Sequence, residues 1–172
     1  MTGDSRGGAR VGMAEGWILN VKRLADGALL PRRAHPQDAG LDLFALAPAE
    51  LPAAARVSVA TGLAVEIPAG HAGLVLPRSG LAAKHGVTVA NAPGLIDSGY
   101  RGELRVLLLN SSAQSFAIQA GDRIAQLVIV AVELPVVSEV QVLSAGDRGA
   151  AGFGSSGGFG APAAGPAGPG AP

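Results

Sequence analysis

Short apolar runs broken by Gly, Pro, Asn and Asp recur along most of the chain, and their spacing predicts strands rather than helices. The runs are Ile18 to Arg23, Leu41 to Ala45, Arg56 to Ser58, Leu63 to Ile67, Ala72 to Leu76, Val87 to Ala90, Leu104 to Asn110, Ser115 to Ile118, Arg123 to Val132 and Val136 to Gln141. Only Ser79 to His85 reads as helix, a short turn holding Leu81, Ala82, Ala83 and Lys84, with Ser79 as its expected cap. Many short strands with turn signals between them point to an all-β fold, an antiparallel sandwich or jelly-roll-like barrel with one short helix. Ile124 to Val132 is almost wholly apolar, so it is either buried on both faces or turns its second face to another subunit.

Outside this pattern the chain changes character. Residues 1–16 are small, polar and glycine-rich and read as a disordered leader, so the β domain is placed at 17–146. After Gly146 the composition collapses to Gly, Ala, Ser and Pro, too poor in apolar bulk to offset its ordering entropy. Residues 147–157 read as a mobile glycine-rich arm and 158–172 as a disordered tail.

Composition narrows the function. With 48% hydrophobic residues, a chain of 172 has ample material for one core. Its 13 basic and 13 acidic side chains cancel, which removes the electrostatic footprint of a duplex nucleic-acid-binding or membrane-surface protein, so any polyanion it binds must be small. Cysteine is absent, excluding disulfides and thiolate metal sites and fitting a reducing compartment. No run has the length of a membrane span and residues 1–16 lack a signal-peptide core, so the expectation is a soluble cytoplasmic protein. Aromatic residues are scarce, at 3%, which makes Tyr100 and Phe153 conspicuous.

Several segments carry candidate chemistry. Gly94 to Glu103, GLIDSGYRGE, sets Asp97 and the only tyrosine in a glycine-punctuated apolar hairpin; alternation after Leu95 and Ile96 can turn the carboxylate away from the packed face. The same letters also fit a β-turn in which Asp97 and Ser98 satisfy local amides. PRSGLA, Pro77 to Ala82, follows an apolar strand and opens the short helix. There free amides, Arg78 and the Ser79 hydroxyl suit phosphate oxygens, though a capped turn with a surface arginine reads the same way. In AGLDLFA, Ala39 to Ala45, Asp42 stands between leucines and either bonds neighbouring backbone or reaches a hydrated cation such as Mg²⁺. In GDRIAQL, Gly121 to Leu127, Asp122 and Arg123 read as a turn ion pair, and Gln126 is left open between a buried amide and a ligand contact. RGAAGFGSSG, Arg148 to Gly157, is either low-complexity linker or a lid whose amides wrap phosphates while Phe153 stacks on a base. The histidines His35, His71 and His85 have no metal-ligand spacing, and no GxxxxGK[ST] loop is present.

Taken in order, AGLDLFA, PRSGLA, NAPGLIDSGYRGE, GDRIAQL and RGAAGFGSSG resemble the five motifs of the trimeric dUTP pyrophosphatases (dUTPases), and VKRL and LPRRAHPQDAG also look like bacterial members. The resemblance implies a jelly-roll-like homotrimer with three shared active sites, each closed by a C-terminal arm. It implies Mg²⁺-assisted hydrolysis of dUTP to dUMP and pyrophosphate, by water attacking the α-phosphorus. By the same resemblance Asp97 matches the acid that orients and deprotonates that water, and Tyr100 the ring under the deoxyribose, which leaves no room for a 2′-hydroxyl. Asn91 and the backbone of Gly94, Leu95, Ile96 and Asp97 match the hairpin that reads the uracil edge. Arg78, Ser79 and Gly80 match the phosphate-binding turn, with Gln126 near the phosphates and Arg105 at a position that contacts nucleotide in some members. Arg148 and Phe153 match the arm's phosphate-binding arginine and stacking ring, and Asp42 the acid that meets Mg²⁺ through water.

Two positions depart from the family pattern. Gly99 stands where many members carry Asp, and Ala151 where the arm often has Gly. Neither touches the proposed base. The rival readings are dCTP deaminase, which shares the fold and a similar PRS turn, and an idle nucleotide-sensing trimer on the same scaffold.

Overall fold

The computed structural model describes residues 17–146 and 149–150. The leader 1–16, residues 147–148 and everything from 151 onward, including the expected arm and tail, lie outside the described residues. The chain divides into two compact units, Met1–Leu134 and Pro135–Pro172.

Among its described residues the first unit holds eleven strands and one helix: β1 Asn20–Arg23, β2 Leu41–Phe44, β3 Ala49–Leu51, β4 Arg56–Ala60, β5 Leu63–Glu66, β6 His71–Leu76, α1 Ser79–His85, β7 Val87–Val89, β8 Gly94–Ile96, β9 Arg105–Asn110, β10 Phe116–Ile118 and β11 Arg123–Ala131. Every pairing is antiparallel. A four-stranded sheet in the order β2-β11-β6-β8 and a three-stranded sheet β4-β9-β7 carry most of the structure, with the pairs β1-β5 and β10-β3 beside them. This is the expected all-β, jelly-roll-like class, and the alternation behind it is plainest in β9. Along β9, Val106, Leu108 and Asn110 turn inward while Arg105 and Leu107 turn out.

The core is aliphatic, as the scarcity of rings requires. Leu43, Leu51, Val65, Val106, Leu108, Ile118 and Leu127 form one buried cluster from all the main sheets. The buried Asn110 has its amide satisfied, donating to the carbonyls of Leu51 at 3.1 Å and Gln114 at 2.7 Å while accepting from Ser112. On β11, Ile124, Ala125 and Leu127 are buried but Val128, Ile129 and Val130 only partly covered. The described residues therefore do not bury both faces of this strand.

Some expectations need correction. Ser79 does not cap the helix: Arg78 occupies the cap position with extended backbone (φ −92°, ψ 125°), and no side chain caps it. Gly86 ends the helix in the left-handed region (φ 67°), donating to the Ala82 carbonyl. Val136 to Gln141 forms no strand, and Val136 and Val137 stand 94% and 95% exposed. An extended run becomes a strand only where a sheet edge accepts it. Conversely, Pro-flanked Ala49–Leu51 pairs with β10 and becomes a strand that its own three residues do not announce.

Candidate active site

The Asp97 segment begins with a crossing between sheets. β7 pairs with β9 and β8 pairs with β6, so residues 90–93 carry the chain from one sheet to the other, and the hairpin expected there has strands that do not pair with each other. The amide of Ala90 donates to Leu107, fixing the departure point. Asn91 folds its side chain back over Gly94, where an added Cβ would lie 3.3 Å from Asn91 Nδ2. Gly94 is buried opposite Val75, Leu95 is 62% exposed and Ile96 packs on the core. As the edge strand of its sheet, β8 keeps alternate backbone groups free for a ligand.

Beyond β8 the chain turns at once, and Tyr100 N donates to the Asp97 carbonyl at 3.0 Å. The Asp97 side chain is exposed. The Tyr100 hydroxyl donates to the Glu103 carbonyl at 3.0 Å, and its ring lies directly over Gly102, where a Cβ would come within 2.6 Å of Tyr100 Cζ. Glycine is required at 102 for that close approach. Arg101 donates through Nη1 to the carbonyls of Ser98 at 2.7 Å and Tyr100 at 2.8 Å, and through Nη2 to Glu66 Oε1 at 3.3 Å.

A second group lies at the other end of β6. Asp42 is buried, its Oδ1 is 3.2 Å from Arg78 Nε, and its Oδ2 accepts from Arg123 Nη1 at 3.2 Å. Gln126 Nε2 donates to Asp42 Oδ1 at 3.4 Å, and Arg78 Nη1 donates to the Arg123 carbonyl. Gly40 makes this possible, because a Cβ there would press on Gln126 Cβ and Cδ at 3.2 Å. Arg78 Nε approaches the carboxylate without hydrogen-bond alignment, so their attraction is chiefly one of charge. The first helical residues, Ser79 and Gly80, are exposed, and their amides lack intrahelical partners by the geometry of a helix start.

One expected pairing changes here. Asp122 does not pair with Arg123; it accepts from the Gln119 amide at 2.8 Å, and Arg123 turns to Asp42 instead. Arg123 is the residue the sequence reading missed, and a bare DR dipeptide gave no sign of a partner 81 positions away. Arg105, expected at the nucleotide, directs its nitrogens to Ser58 Oγ, the Ser58 carbonyl and Glu103 Oε2, clamping β9 to β4. Asp42 lies beneath two guanidinium groups, with its side chain 4% exposed.

Among the described residues no cluster of three or more His, Cys, Asp or Glu is arranged to hold a metal ion. His35 contacts Asp38, His71 lies against Trp17 and His85 against Phe116. No described helix is long and apolar enough to cross a membrane. Arg148 and Phe153 lie outside the described residues.

The two groups do not meet within one chain. Ile96 pairs with Gly73 and Gly94 with Val75, so Asp97 runs off toward the start of β6 while Arg78 follows its end. At the rise of an extended strand, five or six residues separate them by about 15–20 Å.

A family model for dUTPase matches residues 26–157. The deoxyuridine 5'-triphosphate nucleotidohydrolase of Rhodococcus erythropolis is 49% identical over 147 residues, covering 85% of this chain and 90% of that protein. The Thermobifida fusca enzyme of the same name is 51% identical over 144 residues, covering 83% and 80%. Among solved structures, a mutant dUTPase of Staphylococcus bacteriophage 80alpha with dUpNHpp superposes with a TM-score of 0.77 at 33% identity, covering 81% of this chain and 98% of that one. A mutant dUTPase from phage phi11 of S. aureus, described with a structural Mg(II) ion, gives 0.68 at 29% identity, covering 73% and 97%.

Proposed function

The chain belongs to the dUTPase family, and from that premise we propose that it hydrolyses dUTP to dUMP and pyrophosphate with Asp97 as the base. The observation that carries this is the turn at Asp97: an exposed carboxylate, held on a closed turn beside a sheet edge, with the Tyr100 ring packed over Gly102. A water bonded to Asp97 would lose its proton to the carboxylate as its oxygen attacks the α-phosphorus, and pyrophosphate would leave. Phosphoryl transfer of this kind needs positioning and charge neutralisation more than covalent help.

The remaining roles are carried over from the family's motifs. Asn91 and the edge backbone from Gly94 to Asp97 read the uracil, leaving cytosine's amino group without a partner, and Tyr100 stacks under deoxyribose. Arg78, Ser79 and Gly80 bind phosphate oxygens, with Gln126 beside them, and Arg148 and Phe153 close over the nucleotide from the arm. Mg²⁺ enters this reading on the triphosphate, with Asp42 meeting its shell only through water. A single carboxylate already surrounded by Arg78, Arg123 and Gln126 fits that limited role and no larger one. Bound there, the ion would neutralise phosphate charge.

A homotrimer with shared sites is part of the proposal. The separation of Asp97 from Arg78 along β6, the half-covered face of β11, and the exposed apolar side chains of Leu134, Val136, Val137, Val142 and Leu143 all support it. A cytoplasmic location fits a chain without cysteine. Pyrophosphate release measured across dUTP, dTTP, dCTP and UTP tests the reading. Release from dUTP far above the others is expected, whereas ammonia from dCTP would make the protein a deaminase.

A further inference from the structure

The geometry points to Glu66 and Arg101 as a brace that positions the Asp97 turn, a role resting on the reading of Asp97 as the base. Glu66 ends β5, directly opposite Asn20 on β1, and accepts from Asn20 Nδ2 at 2.9 Å through Oε2. Its other oxygen takes Arg101 Nη2 at 3.3 Å. The same guanidinium reaches back through Nη1 to the carbonyls of Ser98 and Tyr100, on either side of Gly99. A continuous line of hydrogen bonds thus runs from the β1-β5 pair to the backbone of the turn that carries Asp97.

This turn needs such support. Gly99 has no side chain, and a Cβ built there meets nothing within 4 Å, so packing does not fix the loop. One backbone bond, Tyr100 N to the Asp97 carbonyl, closes it from within. Arg101 adds two charge-assisted bonds to carbonyls, and a forked guanidinium directs both from one rigid plane. The Glu66–Arg101 pair is half exposed on both sides, and an exposed ion pair contributes little to stability. Its effect is therefore expected in the placement of Asp97, where an error of about 1 Å costs on the order of 100-fold in rate.

The test compares Arg101→Ala, Arg101→Lys, Glu66→Gln and their combinations in the full-length protein, by kcat and KM for dUTP and by Tm, with Asp97→Asn as reference. Arg101→Ala should lower kcat about 10- to 100-fold with KM changed far less and Tm nearly unchanged. Glu66→Gln should lower kcat by a smaller factor, and adding it to Arg101→Ala should lower kcat no further, because Glu66 acts through Arg101. Arg101→Lys, with a single head in place of the fork, should restore only part of the rate. Wild-type kcat in Arg101→Ala, or independent multiplicative effects of the two substitutions, would overturn the brace. Should Arg101→Ala fail to fold, Glu66→Gln and Arg101→Lys decide alone, and wild-type kcat in both overturns it. Full turnover in Asp97→Asn would instead remove the base and leave the brace without its object, a result distinct from an inactive Asp97→Asn beside an unaffected Arg101→Ala.

Discussion

Asp42 on β2 and Arg78 just past β6 meet at 3.2 Å across β11, whose Gln126 lies opposite both Asp42 and Leu76. Three strands thus converge on one carboxylate. The register explains why a glycine stands at 40 and an arginine at 78: the first makes room for Gln126, and the second needs a counter-charge to hold its guanidinium in place.

Asp42→Asn keeps the shape and removes the charge facing Arg78 and Arg123. Since both arginines can turn partly to water, the expected loss of stability is about 1–3 kcal/mol, read by urea denaturation. KM for dUTP should rise at the same time because Arg78 is no longer aimed. Unchanged stability and KM would mean that the cluster holds nothing in place.

Gly102→Ala would force the Tyr100 ring off its present seat, since the new methyl and the ring cannot share the space. The change is exposed and leaves the core intact, so Tm should move little while kcat/KM for dUTP falls about 10-fold or more. Steady-state kinetics beside a thermal melt separate the two effects.

A chain ending at Gly146 lacks Arg148 and Phe153. Turnover should drop sharply while size-exclusion chromatography still finds a trimer. A monomer would make the removed segment an assembly element.

Glu66 supplies a pH dependence with a definite sign. The Asn20 hydrogen bond first, then the charge of Arg101, hold its carboxyl below the ordinary glutamate value of 4.5 against an opposing effect of desolvation. A depressed folded pKa contributes stability that is present above 4.5 and lost as pH falls through the folded value. The stability difference between wild type and Glu66→Gln should therefore shrink with acidification below 4.5 and stay constant above it, as paired denaturation curves would record.

Much of this was legible in the chain because alternation is a local signal. Arg123 to Val132 and Leu104 to Asn110 became β11 and β9 nearly as read, and the helix lies at the expected Ser79–His85. What escaped was set by distant partners. Ala49–Leu51 is a strand only because Phe116–Ile118 lies beside it, and the extended composition of Val136 to Gln141 did not make it a strand. At the site, the glycines around Asp97 and Tyr100 announced a tight turn, and the bond from Tyr100 N to the Asp97 carbonyl closes one there. The brace of Glu66 on that turn and the tie of Arg123 to Asp42 join residues 35 and 81 positions apart, beyond the reach of any local pattern.

The most direct test of the account is single-turnover hydrolysis of dUTP by wild type and Asp97→Asn, with binding of a nonhydrolysable dUTP analogue measured in parallel. The account predicts that the variant binds the analogue as wild type does and forms dUMP and pyrophosphate about 100- to 10,000-fold more slowly, as loss of a general base requires. Equal rates for the two proteins would contradict it.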